Sequence, residues 1–353
     1  MSYRISEGGG NYEYVNARVR SRRAKLFDED DYRKLVRMGP GEIARFMEES
    51  EYETEMNALG SRFSGVDLIE YALTRNMAKH FEDLLRWAEG DLYDHIARYL
   101  RKFDAWNAKT ALRGVYSGAS RADVEDDLIR AGEFSDRFLD QLAEATSVEQ
   151  IVELLDGTIF DERLEAASEE YEATDVLVPL ENAIDYAFYE RLMAGLPAGS
   201  DRAEELYVEF LRAEIDFRNV RNALRLARSG AELDPAEYYI EGGRLFDAAE
   251  LQQLAGNVDE LVARIRESRY ADELEDALAE LEDADNLIGF DHALDVALLE
   301  YSDTLSNRYP LSVCPVLAYV LAKEREVENI RAVARGREAG LSTEEIEEEL
   351  VIL

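Results

Sequence analysis

The sequence predicts an all-α protein built as three tandem, related helical domains of about 110 residues each, near the commonest domain size. Three observations carry this expectation. Apolar residues recur three and four apart almost throughout, as in Leu92, Ile96, Tyr99, Leu100 and Phe103. Alternating Val/Ile/Thr runs bounded by turns, the mark of strands, are hard to find. Finally, one polar phrase returns twice at a fixed interval.

That phrase is "FDAWNAKTALRG" at Phe103, "IDFRNVRNALRLARSG" at Ile215 and "REVENIRAVARG" at Arg325. Its skeleton is acid-x-x-Asn-x-(Lys/Arg)-x-x-(Leu/Ala)-Arg, and the three Asn stand at 107, 219 and 329, so the copies are 112 and 110 residues apart. Two further landmarks keep the same period. "IEYAL" at Ile69 returns as "LENAI" at Leu180 and "FDHAL" at Phe290. Earlier in each copy, Ser50, Thr158 and Ser268 align, followed by Tyr52, Phe160 and Tyr270. A repeat this long describes tandem domains, not a solenoid unit. The expected bounds are 14–130, 131–243 and 244–353, after a lead of 1–13 that the Gly8–Gly10 run predicts to be flexible.

Within each copy the elements follow in order. About 38 residues separate the second landmark from the repeated Asn, room for two helices of about 20 residues and a short turn, "WAEGD" at Trp87 in the first copy. This predicts an antiparallel helical hairpin. After the hairpin comes a Gly, a helix N-cap and an acidic amphipathic helix. Ser120 with Asp123 and Ser342 with Glu345 read as capping boxes, and Asp234 before Pro235 as an N-cap.

A composition of 46% hydrophobic residues provides a core, so the formal charge of −37 is expected on the surface of a folded protein. Only six of 40 basic residues are Lys, against 77 acids, which predicts adaptation to molar salt. There the screening length is about 3 Å and self-repulsion fades. So acidic a surface argues against a nucleic-acid partner. The longest uncharged apolar run, Leu311–Ala322, is too short to span a membrane, and no signal peptide is read at the start. The one cysteine, Cys314, reads as a buried apolar side chain, and His80, His95 and His292 lie far from it in sequence.

Catalytic patterns are missing from the sequence. No Gly-Lys pair exists for a phosphate loop, and there is no Rossmann glycine pattern, His-Glu-x-x-His or Glu-x-x-His. An isoprenoid-synthase type Asp-Asp-x-x-Asp cluster fails because Lys34 and Arg130 stand where the third acid should follow Asp30-Asp31 and Asp126-Asp127. We therefore expect no cofactor, no metal site and no small-molecule substrate.

Nine polar positions remain: Asn107, Lys109, Arg113; Asn219, Arg221, Arg225; Asn329, Arg331, Arg335. They could grip a partner, or they could be buried or half-buried hydrogen-bond donors tying adjacent helices together. Duplication of a structural unit favours the second, since an asymmetric partner would use only some copies. The second landmark's acids, Glu70, Glu181 and Asp291, lie as far from the turn as the bases do, which predicts an ion pair across each hairpin. The cluster Arg18, Arg20, Arg22, Arg23 and Lys25 spreads round a helix and suits acidic neighbours or a partner equally.

"YVNARVRSRRAKLF" at Tyr14, "NAKTALRGVYSG" at Asn107, "YYIEGG" at Tyr238, "PLSVCPVLAYVLAKEREVENIRAVARG" at Pro310 and the final "EEIEEELVIL" closely resemble the C subunit of the archaeal A-type ATP synthases, a family that includes the d-type component of vacuolar ATPases. The resemblance implies a funnel of three similar helical domains about a pseudo-threefold axis. It implies a single, non-catalytic copy per complex, peripheral on the cytoplasmic face of the cell membrane. One face would receive the central stalk, made of the D and F proteins, and the other would sit on the proteolipid ring.

Overall fold

The computed structural model describes residues 10–194, 202–229, 238–254, 257–275, 277–279 and 288–352. Arg225 lies outside the described side chains, and the Asp234 cap and residues 1–9 of the lead lie outside the described residues. Every regular element among the described residues is helical.

One order of elements returns three times. In the first copy the short helices α2 (Glu29–Leu35), α3 (Pro40–Glu48) and α4 (Glu53–Leu59) precede a long arm, α5 (Gly65–Trp87). The chain turns at Ala88–Gly90, where Gly90 at φ +60° takes a conformation open to glycine. It returns as α6 (Asp91–Leu100) and α7 (Lys102–Ser117), one arm bent at Arg101, and ends in the capped α8 (Arg121–Asp127). The second copy repeats this as α9 (Asp136–Glu144), α10 (Val148–Leu154), α11 (Asp161–Thr174), then arms α12 (Val178–Met193) and α13 (Arg202–Ser229). The third contributes α14 (Ala248–Leu254), α15 (Val258–Arg266), arms α16 (Ile288–Arg308) and α17 (Cys314–Ala339), and the capped α18 (Thr343–Glu347). The helix α1 (Tyr12–Arg23) precedes them all.

Local sequence explains the ends. Ser120 and Ser342 accept from the N–H groups of Asp123 and Glu345, whose carboxylates reach back to the capping residue's own N–H, as the capping boxes predict. Asp28 and Asp31 do the same for α2. Such caps satisfy amide donors that a helix start leaves orphaned, each worth about 1 kcal/mol. On α6 the buried residues Leu92, His95, Ile96, Tyr99 and Leu100 form one stripe, with charges opposite.

Packing joins each copy to the next. The second arm α7 packs on the first arm α12 of the following copy, α13 packs on α16, and α17 packs on α5. The third contact returns to the first copy and closes a circuit. Where it closes, α1 lies across both α17 and α5.

Candidate functional site

The repeated polar residues stand at the joints of this circuit. Asn107 is fully buried; its Nδ2 donates to the Ile129 carbonyl at 2.7 Å and its Oδ1 accepts from the Ile129 N–H at 2.7 Å. Asn219 does the same to Ile240 at 2.8 and 2.9 Å, and Asn329 to Val351 at 2.7 and 3.0 Å. A carboxamide offers one donor and one acceptor in the geometry of a peptide group, so each Asn holds the backbone of a segment 21 or 22 residues further on.

The acid three residues earlier holds a second stretch. Asp104 accepts from the N–H groups of Glu133 (2.8 Å) and Phe134 (3.0 Å), and Asp216 from those of Arg244 (2.7 Å) and Leu245 (2.9 Å). Glu326 accepts from Phe27 (2.8 Å), at the other end of the sequence. Close approach needs glycine here: a Cβ on Gly132 or Gly243 would stand 2.1 or 2.2 Å from the carboxylate oxygen of Asp104 or Asp216.

The aromatic residue of the first landmark reports to the acid of the preceding copy. Tyr270 donates its hydroxyl to Asp216 at 3.0 Å, and Tyr52 donates to Glu326 at 2.6 Å. Glu326 also takes a 2.7 Å bond from Lys323, which is completely buried and lies over the Tyr52 ring. Phe160 has no hydroxyl to offer. Burial pushes the Asp104 carboxyl up to about 6 and raises Asp216 as well. Burial also lowers the Lys323 ammonium, opposed by Glu326.

The ion pairs run between copies. Lys109 meets Asp185 at 2.6 Å, and Arg113 meets Glu181. Arg221 meets Asp291 at 3.2 Å and also Asp295. Arg331 meets Glu70 at 3.2 Å and Arg335 meets the same carboxylate. The expected pairing within each hairpin is thus replaced by pairing with the next copy's acid. Equal distance from the turn set the right height on the helices, but packing α7 on α12 made the neighbouring arm the nearer one.

Inside the circuit the three second arms converge on a cavity of about 240 Å³. Lys102, Glu214 and Glu324 line it at one helical level; Trp106, Arg218 and Glu328 line it one turn further along. Lys102 and Glu324 pair at 2.7 Å, joining the first and third copies. Tyr99 meets Phe210 edge-on, and Tyr207 donates to the His95 carbonyl, joining the first and second. Among the described residues no cluster of acids, His or Cys is arranged to hold a metal.

A family model described as the ATP synthase (C/AC39) subunit matches residues 15–349. The chain belongs to this family. A protein of Haloferax volcanii, named as the C subunit of an A-type ATP synthase, is 67% identical over 346 residues, 98% of this chain and 99% of that protein. Proteins of the same name from Haloquadratum walsbyi and Methanococcoides burtonii are 62% and 36% identical, over 98% and 99% of this chain and 100% and 97% of theirs.

In this C/AC39 family member four residues of the basic cluster, Arg18, Arg22, Arg23 and Lys25, meet the protein itself. Arg22 pairs with Asp83 and stacks over Trp87, Arg23 pairs with Asp303, and Lys25 lies 2.8 Å from Glu51. Arg18 lies over the Tyr14 and Trp87 rings. Cys314 is a free, buried cysteine at the start of α17. Sequence reasoning missed Gly132, Gly243 and the hydroxyls of Tyr52 and Tyr270. Their signal was present: a Gly follows Asp104 and Asp216 by nearly the same interval, and the Tyr positions already kept the repeat period.

Proposed function

We propose that this member of the ATP synthase (C/AC39) subunit family is the non-catalytic coupling piece of an A-type proton-transporting ATP synthase. It would stand as a single copy, peripheral on the cytoplasmic face of the membrane, between the central stalk (the D and F proteins) and the proteolipid ring. It would pass torque between them during synthesis or hydrolysis of ATP. The three copies would form a funnel about a pseudo-threefold axis, a reading supported by the closed succession of helix contacts and junction ion pairs.

The observation that carries this reading is the placement of the exposed large apolar side chains. Tyr14, Tyr93 and Leu311 lie at the hairpin turns, Tyr116, Val176, Val178 and Leu341 at the opposite ends of the arms, and Trp106 in the cavity. The 23-residue arm α5 puts about 34 Å between those ends. A piece clamped between two partners needs apolar contact at both ends, the more so in molar salt, where charge steering fades. No described helix is long and apolar enough to cross a membrane, which suits a peripheral protein. Torque also demands stiffness, and buried, fully partnered polar ties fix one packing arrangement.

Co-purification tests the proposal. A C-terminally tagged chain, extracted from membranes with mild detergent in high salt, should bring stalk, catalytic and proteolipid proteins with it. Recovery of the chain alone from the soluble fraction would reject the coupling role.

A further inference from the structure

The convergence of three equivalent arms poses a mechanical problem: a symmetric socket would let an axial insert slip by a third of a turn. The side chains at the cavity break that symmetry. At the position just before the repeated Asn, the three arms present Trp106, Arg218 and Glu328, one apolar, one cationic and one anionic. All three remain accessible: Trp106 is 44% exposed, and the Arg218 and Glu328 side chains 39% and 51%. By contrast, the repeated Asn next to them is chemically identical in all three arms and buried in each. The sequence has diverged at the positions lining the cavity and stayed the same one residue away.

The level below is asymmetric too. Lys102 and Glu324 satisfy one another, whereas one buried carboxylate oxygen of Glu214 has no hydrogen-bond partner. A buried acceptor without a donor is unfavourable, and a donor that arrives relieves it. Arg218 stands 3.6 Å from Asp185, with its guanidinium over the Tyr189 ring and its side chain still 39% exposed.

We propose that Trp106, Arg218 and Glu328 form a rotational key that admits the axial partner in one angular register. This rests on the coupling role above, and it says what the partner must be. A cavity of about 240 Å³ has room for a few side chains, not for a whole helix about 10–12 Å across. The occupant is therefore the tip of a stalk, entering end-on. Around its circumference it carries an apolar residue facing Trp106, an acid facing Arg218 and a base facing Glu328, with a donor at its end for Glu214. Where screening extends over only about 3 Å, charges act in contact alone, so the key selects register at the last step of docking and not during approach.

The test uses the full chain assembled with its stalk proteins in high salt. A photo-crosslinking residue is placed at single positions around the stalk tip, and the arm it labels is identified by mass spectrometry. Each tip position should label one of α7, α13 and α17 at least fivefold over the others. In the triple variant Trp106→Ala/Arg218→Ala/Glu328→Ala, assembled to the same stoichiometry, labelling should spread over all three arms. Even labelling in the unmodified complex would overturn the key, as would a single dominant arm in the triple variant. Failure of every tip position to label any arm would instead reject the coupling role on which the key depends.

Discussion

At the junction of the first and second copies the polypeptide itself passes from one to the other; at the junction of the third and first, the residues that meet lie far apart in sequence, as Phe27 and Glu326 do at a separation of 299. The chemistry differs accordingly. Asp104, at the first junction, accepts two backbone N–H groups, and the aromatic residue of the next copy is Phe160. Glu326, at the closing junction, accepts from a backbone N–H, from Tyr52 and from a fully buried Lys323. The helix α1 adds a strap: Asn16 donates to the Pro310 and Ser312 carbonyls at 3.1 and 2.9 Å, and Arg23 pairs with Asp303. Where covalent connection cannot hold two copies together, buried polar contacts and an extra helix do so.

Breaking the closing junction should have the largest effect. Glu326→Ala leaves a buried ammonium, a buried hydroxyl and an N–H without their acceptor, and removing one partner of a buried ion pair costs about 3–5 kcal/mol. Denaturant unfolding in high salt should show that loss. Asn107→Ala and Asn329→Ala each orphan one buried N–H and one buried C=O, at about 1–3 kcal/mol per group. The two losses should match, because both ties have the same geometry.

A smaller effect sharpens the comparison. Phe160→Tyr would offer Asp104 the hydroxyl that Asp216 and Glu326 already receive, stabilising the protein at pH 7 by about 1 kcal/mol. Asp104 has a folded pKa of about 6, raised above its unfolded value by burial. Its protonated form is therefore favoured by folding, and its contribution to stability improves as pH falls from 7 through 6 toward 4. In Phe160→Tyr that improvement should shrink, because a hydrogen bond to the carboxylate favours the charged form. Unfolding curves of both proteins at pH 7 and 5 give the difference directly. Least of all, Thr74→Asp would supply the closing junction with the acid that Asp185 and Asp295 provide at the other two. A half-exposed pair of this kind is worth under about 1 kcal/mol and should weaken further with salt.

The helices, the capping boxes at Ser120 and Ser342 and the threefold repeat were legible because each is written in spacing. So was the buried state of the repeated Asn, from the argument that duplication conserves structural parts. Their partners were not legible, since Asn107, Asn219 and Asn329 bind backbone, and backbone carries no letter. Nor could the sequence say that Glu70 meets Arg331 and Arg335, because distance from a turn gives height along a helix but not which neighbour stands beside it. The key at Trp106, Arg218 and Glu328 escaped notice for the opposite reason: a search for repeats passes over the positions where copies differ.

The central claim is that the third copy closes on the first as firmly as the others join. Amide hydrogen exchange tests it most directly at Phe27, whose N–H is donated to Glu326, beside Phe134 and Leu245, which play the same part for Asp104 and Asp216. Protection at Phe27 should fall within about tenfold of the other two, a difference of about 1.4 kcal/mol. Exchange at Phe27 orders of magnitude faster than at Phe134 and Leu245 would mean that the circuit is open at this junction, and would contradict the claim.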